Sequence, residues 1–316
     1  MKINHLDLFS GIGGFHLGFE KAGFEVNSYF SEIDKYAIDV YKNNFKNSKY
    51  VGSVTDVRAE QLPRIDAITF GSPCQDFSLA GKRKGMGGDR SSLITEAIRL
   101  IDECRPRFFI WENVKGTFSS NNGEDFWAII QAFTNIGGYR LEWQLLNTKW
   151  FLPQNRERIY LVGYTPNKSK GQVFPIGENC FKNIKLQRQQ GNTCTLTTRY
   201  EAGGNGSYII ERELNAQKVI GYSRDKKGKV ISYHEKDEAN TLHSSSGGGG
   251  NTDQYITNQQ NIRRLTPLEC ERLQGFPDNW TLAEDNSDTQ RYKMIGNAVT
   301  VDVVKAVGEK IIKTLY

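Results

Sequence analysis

A strand, a glycine turn and a helix open this chain, and their order constrains its fold more than any other feature. Residues 3–9 predict a strand, residues 10–14 are Ser-Gly-Ile-Gly-Gly, and residues 15–23 have helical spacing that stops at glycine. Glycine lets the backbone approach a ligand closely at the N-terminus of a helix. The chain is therefore expected to begin a doubly wound α/β sheet.

An acidic residue follows the second predicted strand, as in nucleotide-binding folds. Residues 24–30 predict that strand, Glu32 lies about 20 residues beyond the glycine turn, and a helix is predicted over residues 34–44. A carboxylate at this place holds the hydroxyl pair of a ribose. We therefore expect a cofactor that contains adenosine, although periodicity does not say which one.

Predicted strands and helices continue to alternate after these elements. The remaining predicted strands are 65–70, 107–111, 139–146 and 158–164, and the remaining helices are 93–104, 125–135 and one after residue 297. The strand over 107–111 ends in Glu112, and the strand over 65–70 runs toward Cys74. Because functional groups gather at the carboxyl ends of parallel strands, these two residues are candidates for one site.

Cys74 is a candidate nucleophile on a loop. It follows the rigid Pro73, and a thiolate is strongly nucleophilic near neutral pH. Most lone cysteines are small buried hydrophobic residues, so the surroundings decide the role of this one. Residues 81–90 are rich in glycine and basic side chains, and they predict a mobile lid whose cations meet phosphates. The alternative for that segment is a plain surface loop.

Composition excludes several classes of protein. The five cysteines have no close pairs, and together with four scattered histidines they give neither a disulfide framework nor zinc-ligand spacing. No apolar run approaches the roughly 20 residues of a spanning helix, and the N-terminus does not resemble a signal peptide. We expect a cytoplasmic protein without metal or membrane partner. The net charge of +5 permits a polyanionic partner but does not require one.

Six ordered motifs resemble those of the DNA (cytosine-5) methyltransferase family. They are residues 7–14 (Asp-Leu-Phe-Ser-Gly-Ile-Gly-Gly), 71–75 (Gly-Ser-Pro-Cys-Gln), 112–114 (Glu-Asn-Val), 154–158 (Gln-Asn-Arg-Glu-Arg), the block 265–277 and 296–299 (Gly-Asn-Ala-Val). The resemblance implies a Rossmann-like methyltransferase domain with a second, smaller β-rich target-recognition domain. It also implies S-adenosylmethionine as cofactor and a flipped cytosine in double-stranded DNA as substrate.

The resemblance implies roles for individual residues. Cys74 is expected to add to carbon 6 of cytosine, and Glu112, oriented by Asn113, to share a proton with ring nitrogen 3. Arg158 is expected to contact the cytosine carbonyl oxygen, with Arg156 supporting the loop or a phosphate. The expected cofactor contacts are Phe9, Ser10, Gly11, Ile12, Gly13, Gly14, Glu32, Ile33, Ser53, Val54, Pro73, Asn297 and Val299.

Three positions depart from the family pattern. Ile33 stands where members often carry an aromatic residue that stacks on adenine, so it can only pack. Ser53 stands where an Asp often binds the adenine amino group. Ala80 stands where a lid serine helps to fill the gap left by the flipped base in some members.

Residues 165–262 differ in composition from the rest of the chain and contain an internal sequence repeat. Thr-Leu, Gly-Gly-Asn and Tyr-Ile occur in this order over residues 195–209 and again over 241–256, which predicts two related hairpins in a small β-rich domain. In the family this place holds the target-recognition region. The expected DNA contacts are Ser78, Lys82, Arg83, Lys84, Arg90, Arg199, Arg224 and Thr241.

The expected organisation is a discontinuous catalytic domain, residues 1–165 and 292–316, with a target-recognition domain over 166–291. We expect a monomer and allow for a cognate restriction endonuclease that acts separately. A cytosine-5 RNA methyltransferase of the same family would use the same catalytic residues. A nicotinamide oxidoreductase would leave Cys74 and Glu112 unexplained, and a non-catalytic DNA-binding relative would not need them.

Overall fold

The computed structural model describes residues 1–71, 93–166, 171–177 and 265–316, together with the backbone of five strands between residues 206 and 264. The chain divides into two compact units. The first unit comprises Met1–Leu146, Glu157–Ile176 and Val303–Tyr316, and the second comprises Asn147–Arg156 and Gly177–Asp302. Within the described ranges, no helix combines the length and apolar character that crossing a membrane requires.

A seven-stranded sheet forms the centre of the first unit. Its strands are β1 (Lys2–Leu8), β2 (Glu25–Ser31), β3 (Lys49–Tyr50), β4 (Ala67–Gly71), β5 (Phe108–Val114), β6 (Arg140–Asn147) and β7 (Glu157–Tyr164). Their spatial order is β3-β2-β1-β4-β5-β7-β6. The strands from β3 to β5 pair in parallel, whereas β7 is antiparallel to β5. The order reverses between β1 and β4, and ligands bind at such a point outside the carboxyl ends of the strands.

Seven α-helices occur in the described part of the chain. They are α1 (Gly14–Ala22), α2 (Lys35–Asn44), α3 (Leu93–Cys104), α4 (Glu124–Ile136), α5 (Pro267–Leu273), α6 (Asp288–Asn297) and α7 (Val301–Leu315). One face of α3 packs on the sheet because its apolar residues recur every three or four positions. These buried residues are Ile94, Ala97, Leu100 and Ile101. In α7, a Cβ atom on Gly308 would lie only 2.9 Å from Ala22 Cβ of α1, so glycine permits the close approach of these two helices.

The predicted strands and helices of the first unit are confirmed, with one extension. The strand predicted over 107–111 continues to Val114 as β5. The antiparallel register with β7 extends to the pair Val114 and Arg158, and this backbone pairing carries the polar residues Glu112 and Asn113 into the strand. Near the C-terminus, α6 already ends at Asn297, and a separate helix α7 begins at Val301.

A second sheet lies in the second unit. Its strands are β8 (Gly206–Arg212), β9 (Ala216–Arg224), β10 (Val230–Lys236), β11 (Tyr255–Asn258) and β12 (Ile262–Arg264), in the order β10-β9-β8-β11-β12. The repeated Tyr-Ile pairs lie side by side, because β8 and β11 are parallel and Tyr208 pairs with Tyr255.

The first strand of each predicted hairpin, over 195–209 and 241–256, lies outside the described residues, so the two hairpins stay a prediction. A strand has only two hydrogen-bonding edges. Strand β8 uses its edges for β9 and β11, and β11 uses its edges for β8 and β12. Among the described strands, the partners of β8 and β11 therefore all belong to this sheet, and the Thr-Leu segments that precede them in the sequence are not among these strands. Those segments, which include Thr195 and Thr241, lie outside the described residues.

Candidate active site

The glycine turn after β1 has the backbone conformation that its sequence predicts. Phe9, Gly11 and Gly13 have φ angles of 51°, 52° and 84°, which lie in the left-handed region. A Cβ atom on Gly13 would lie 3.1 Å from the Tyr41 ring and would also collide with Phe45. No described atom lies within 4 Å of a Cβ atom built on Gly11. Gly13 therefore allows close helix packing, whereas Gly11 borders open space that a ligand can use.

Glu32 lies at the carboxyl end of β2 and is held by three backbone amides. Its Oε2 accepts a hydrogen bond of 2.8 Å from Gly11 N, and its Oε1 accepts from Ile33 N at 2.8 Å and Asp34 N at 3.0 Å. The Tyr50 hydroxyl donates to the Glu32 carbonyl oxygen at 2.9 Å. A carboxylate oxygen can accept two hydrogen bonds, so Oε2 keeps one lone pair for a ligand hydroxyl.

The surroundings of Glu32 fit a nucleoside. Ser10 Oγ is buried and has no hydrogen-bond partner in the described part of the chain. Ile33 is 78% exposed and presents an apolar surface at the same edge of the sheet. Ser53 Oγ bonds Thr55 Oγ1 at 2.9 Å. Ile12 and Val54 are buried core residues, so their side chains serve packing.

Glu112 and Arg158 form an ion pair at the carboxyl end of β5. Arg158 Nε lies 3.2 Å from Glu112 Oε1, and the two side chains are 16% and 10% exposed. The pair follows from the register, because Glu112 lies opposite Tyr160 and Arg158 is two residues away on the same face of β7. Both residues were predicted for the site, and the structure brings them together.

One oxygen of the Glu112 carboxylate accepts no hydrogen bond from the residues that the structure describes. Glu112 Oε1 is buried, and although Arg158 is within ion-pair distance, no described N–H group is directed at this oxygen. A buried carboxylate oxygen without a hydrogen bond carries a desolvation cost that a ligand proton can remove. Glu112 Oε1 is therefore available to form a hydrogen bond with a ligand.

Gly71 is a site residue whose role the sequence did not reveal. It ends β4 and pairs with Glu112 of β5. A Cβ atom at this position would lie 3.1 Å from Glu112 Oε2, so any other side chain would crowd the carboxylate. The only sequence signal is a glycine that directly follows an apolar strand. Cys74 is three residues further along the chain.

Asn113 stabilises the turn that follows β5. Its Oδ1 accepts hydrogen bonds from Val114 N at 2.7 Å and Thr117 Oγ1 at 3.2 Å. These bonds fix the start of a short 3₁₀-helix over Lys115–Phe118. Because neighbouring strand residues point to opposite faces, Asn113 can orient Glu112 only through the backbone.

Arg156 belongs to the second unit. Its side chain is 3% exposed and donates to Gly296 O at 3.4 Å and Ala298 O at 2.9 Å. It therefore neutralises carbonyl groups at the C-terminal end of α6. Within this unit, Asn297 is exposed and Val299 is buried.

Several predicted site residues cannot be placed. Those that lie outside the described residues are Pro73, Cys74, Ser78, Lys82, Arg83, Lys84, Arg90, Arg199 and Thr241, and Arg224 is described only as the backbone end of β9. In the ranges that the structure does describe, no group of His, Cys, Asp and Glu side chains could hold a metal ion.

The two described cysteines are expected to react slowly with iodoacetamide. Burial raises the pKa of Cys104, at the end of α3, to about 11, and it also raises the pKa of the buried Cys270. At pH 8 a thiol of pKa 11 is about 250-fold less ionised than one of pKa 8.5, and the greater nucleophilicity of its thiolate recovers about tenfold. Timed mass spectrometry should show Cys104 alkylated about 20-fold more slowly than a peptide thiol. Alkylation at the peptide rate in the native protein would contradict this, and both cysteines should react rapidly in urea.

Comparison with known families gives a match over nearly the whole chain. A model of the family described as C-5 cytosine-specific DNA methylase matches residues 3–313. The type II methyltransferase M.Bsp6I of Bacillus sp. (strain RFL6) is 33% identical over 98% of this chain and 98% of the relative. M1.ScrFI of Lactococcus lactis subsp. cremoris is 34% identical over 99% of this chain and 79% of the relative. M.NlaX of Neisseria lactamica is 33% identical over 96% and 95%, respectively.

Solved structures share the fold. The Entamoeba histolytica methyltransferase EhMeth superposes with a TM-score of 0.67 at 18% identity, over 100% of this chain and 99% of that protein. The Dnmt2 methyltransferase of S. pombe superposes with a TM-score of 0.66 at 17% identity, over 98% and 99%, respectively. At these identities the likeness concerns the fold.

Proposed function

We propose a specific reaction for this chain, which belongs to the C-5 cytosine-specific DNA methylase family. The chain is a DNA (cytosine-5) methyltransferase. In our proposal it methylates a cytosine flipped out of a specific duplex sequence, through a covalent adduct with Cys74. The observation that carries the proposal is the buried Glu112 carboxylate, which has an oxygen without a hydrogen bond and lies beside the strand that leads to Cys74.

Cys74 is the proposed nucleophile. Three residues of chain span at most about 11 Å, so Cys74 stays within that reach of Gly71, which neighbours Glu112 in the sheet. The thiol loses its proton to solvent, and the thiolate forms a bond to carbon 6 of cytosine. The electron pair of the carbon 5–carbon 6 double bond moves toward ring nitrogen 3. Carbon 5 then becomes enamine-like and nucleophilic.

Glu112 is the proposed acid and base for the proton at ring nitrogen 3. In its protonated form it donates that proton as the thiolate adds, and it takes the proton back when carbon 5 loses its own proton to solvent and the sulfur–carbon bond breaks. Oε1, which accepts no hydrogen bond from the described residues, supports this role, since a hydrogen bond to the base would satisfy it. Arg158 lies beside the same carboxylate and supplies the positive charge proposed to face the cytosine carbonyl oxygen.

S-adenosylmethionine is the proposed cofactor and, when bound, supplies the methyl group. The features that support adenosine binding are the free lone pair of Glu32 Oε2, the unpartnered Ser10 hydroxyl, the open space at Gly11 and the exposed Ile33. The remaining proposed contacts are Phe9, Ile12, Gly13, Gly14, Ser53, Val54, Pro73, Asn297 and Val299. Gly13, Ile12 and Val54 contribute by shaping the pocket, because they pack against protein.

The second unit is proposed to read the DNA sequence. Its five-stranded sheet occupies the part of the chain where the family holds its target-recognition region. The basic segment over 82–90 is proposed to close on the DNA backbone. Since the most similar relatives reported above are named type II methyltransferases, we propose that a separate restriction endonuclease recognises the same sequence. The enzyme is proposed to act as a monomer on cytoplasmic DNA.

Methyl transfer from labelled cofactor tests this function directly. We expect label to enter unmethylated duplex DNA, and bisulfite sequencing to place it at carbon 5 of cytosine within one sequence context. We expect none in tRNA, because the matching family model describes DNA methylases. Label in tRNA alone would support the RNA alternative instead. Tight binding of a nicotinamide dinucleotide, without methyl transfer, would support an oxidoreductase.

A further inference from the structure

A buried polar cluster lies beneath the glycine turn, and the proposed reaction does not use it. Thr69 Oγ1 of β4 donates to Asp7 Oδ1 of β1 at 2.8 Å. The Tyr41 hydroxyl of α2 donates to Asp7 Oδ2 at 3.4 Å, and it also hydrogen-bonds Ser28 Oγ of β2 at 2.8 Å and His16 Nδ1 of α1 at 3.1 Å. All five side chains are at most 3% exposed. Burial raises the pKa values of both Asp7 and Tyr41, as expected for ionisable groups removed from water.

The Tyr41 ring touches both segments that are proposed to hold the cofactor. Its Cε2 atom lies 3.1 Å from the place of a Cβ atom on Gly13, in the glycine turn. The ring also stacks on Phe30 of β2, with centroids 4.0 Å apart and planes 9° apart. Phe30 is two residues before Glu32. Tyr41 therefore contacts both the glycine turn and the strand that carries Glu32.

The hydroxyl of Tyr41 fixes where its ring sits. Hydrogen bonds are directional, so the bonds to Asp7 and Ser28 hold the ring against sliding, which stacking alone does not prevent. Gly13 leaves no free space beside the ring, so a ring displacement shifts the glycine turn. The glycine turn is joined to Glu32 by the hydrogen bond from Gly11 N to Glu32 Oε2. The geometry of the turn decides whether the second lone pair of Oε2 can accept a hydrogen bond from a ligand hydroxyl.

We propose that Tyr41 is a positioning residue for the cofactor pocket: its hydroxyl, held by Asp7 and Ser28, sets the separation between the glycine turn and Glu32. The inference rests on the proposed function, since it takes the adenosine of S-adenosylmethionine as the ligand. Tyr41 itself is fully buried, so its effect passes through Gly13 and Phe30.

The Tyr41→Phe variant tests this inference, because it keeps the ring and removes the hydroxyl. We expect the Kd of S-adenosylhomocysteine, measured by isothermal titration calorimetry, to rise about tenfold. The KM for S-adenosylmethionine should rise equally, while kcat at saturating cofactor stays within about twofold. The thermal midpoint should fall by about 2–6 °C, because Asp7 and Ser28 lose a buried partner.

Tyr164→Phe is the matched control for general destabilisation. The Tyr164 side chain is also buried, and its hydroxyl donates to Glu142 Oε1 at 2.6 Å, on β7 and β6 away from the glycine turn. It should lower the thermal midpoint similarly but leave the Kd within about twofold. An unchanged Kd in Tyr41→Phe, or an equal rise in Tyr164→Phe, would overturn the inference.

Ser28→Ala keeps the inference testable if Tyr41→Phe does not fold. It removes one partner of the Tyr41 hydroxyl, and we expect the Kd of S-adenosylhomocysteine to rise about threefold; no change would again overturn the inference. Failure of the unaltered protein to bind S-adenosylhomocysteine would overturn the proposed cofactor itself, which separates the two claims.

Discussion

The Cys74→Ser variant is expected to lose methyl transfer by at least about four orders of magnitude while binding the cofactor nearly as well as the unaltered enzyme. A thiol of ordinary pKa near 8.5 is a few per cent ionised at pH 7, whereas a serine hydroxyl is essentially un-ionised and cannot add to carbon 6 of cytosine. Without that addition, carbon 5 has too little electron density to accept the methyl group. The measurement is label transfer to duplex DNA, with calorimetric titration of S-adenosylhomocysteine alongside.

Cys104→Ser is the control for the chemical change itself. Cys104 ends α3, has a pKa of about 11 because of burial, and takes no part in the proposed reaction. This variant should keep its methyl-transfer rate within about twofold. Full activity of Cys74→Ser would rule out the covalent mechanism, and loss of cofactor binding in that variant would assign Cys74 to the cofactor pocket instead.

The Glu112→Gln variant is expected to lower kcat by about 10²–10⁴, the range that a positioned acid–base group contributes. Glutamine has the same shape and can donate a hydrogen bond, but it cannot transfer a proton to ring nitrogen 3. It also removes the negative charge beside Arg158, which lies 3.2 Å away. Binding of S-adenosylhomocysteine should change by less than about threefold, because its proposed contacts at the carboxyl ends of β1 and β2 are untouched. Single-turnover methylation with saturating cofactor measures the chemical step.

Glu157→Gln provides a matched carboxylate-to-amide control on β7. Glu157 pairs with Lys115 at 2.8 Å in an exposed ion pair, and such pairs contribute about 0–1 kcal/mol. Its kcat should remain within about threefold of the unaltered value. If Glu112→Gln kept more than a tenth of the original kcat, Glu112 would not be the group that transfers a proton to and from ring nitrogen 3.

The first half of the fold could be predicted because each element there carries a strong local pattern. Helix α3 has apolar residues at helical spacing, and β1 is followed by the glycines that its turn requires. The strand β5 was predicted too short, because Glu112 and Asn113 near its end are polar, and they become strand through pairing with β7 and, at Glu112, also with β4. The second sheet could not be predicted, because the choice of pairing partner for β8 is non-local.

The candidate site shows the same division between local and non-local information. The sequence identified Glu112 and Arg158 separately, but their contact depends on the register between two antiparallel strands. The role of Tyr41 was missed, because it comes from stacking on β2 and from a hydroxyl that reaches Asp7 across the interior. The only sequence signal was Asp7, an acidic residue between two leucines near the end of β1.

Trapping with 5-fluorocytosine tests the covalent reaction most directly. The target duplex carries fluorine at carbon 5 in place of hydrogen, so the step that removes the carbon-5 proton and releases the thiolate cannot occur. With S-adenosylmethionine present, we predict a complex of protein and DNA that survives denaturing electrophoresis, with mass spectrometry placing the modified cytosine on the peptide that contains Cys74. The Cys74→Ser variant should form none. If the unaltered enzyme methylates the ordinary duplex but leaves no adduct on the fluorinated one, the proposed covalent mechanism is contradicted.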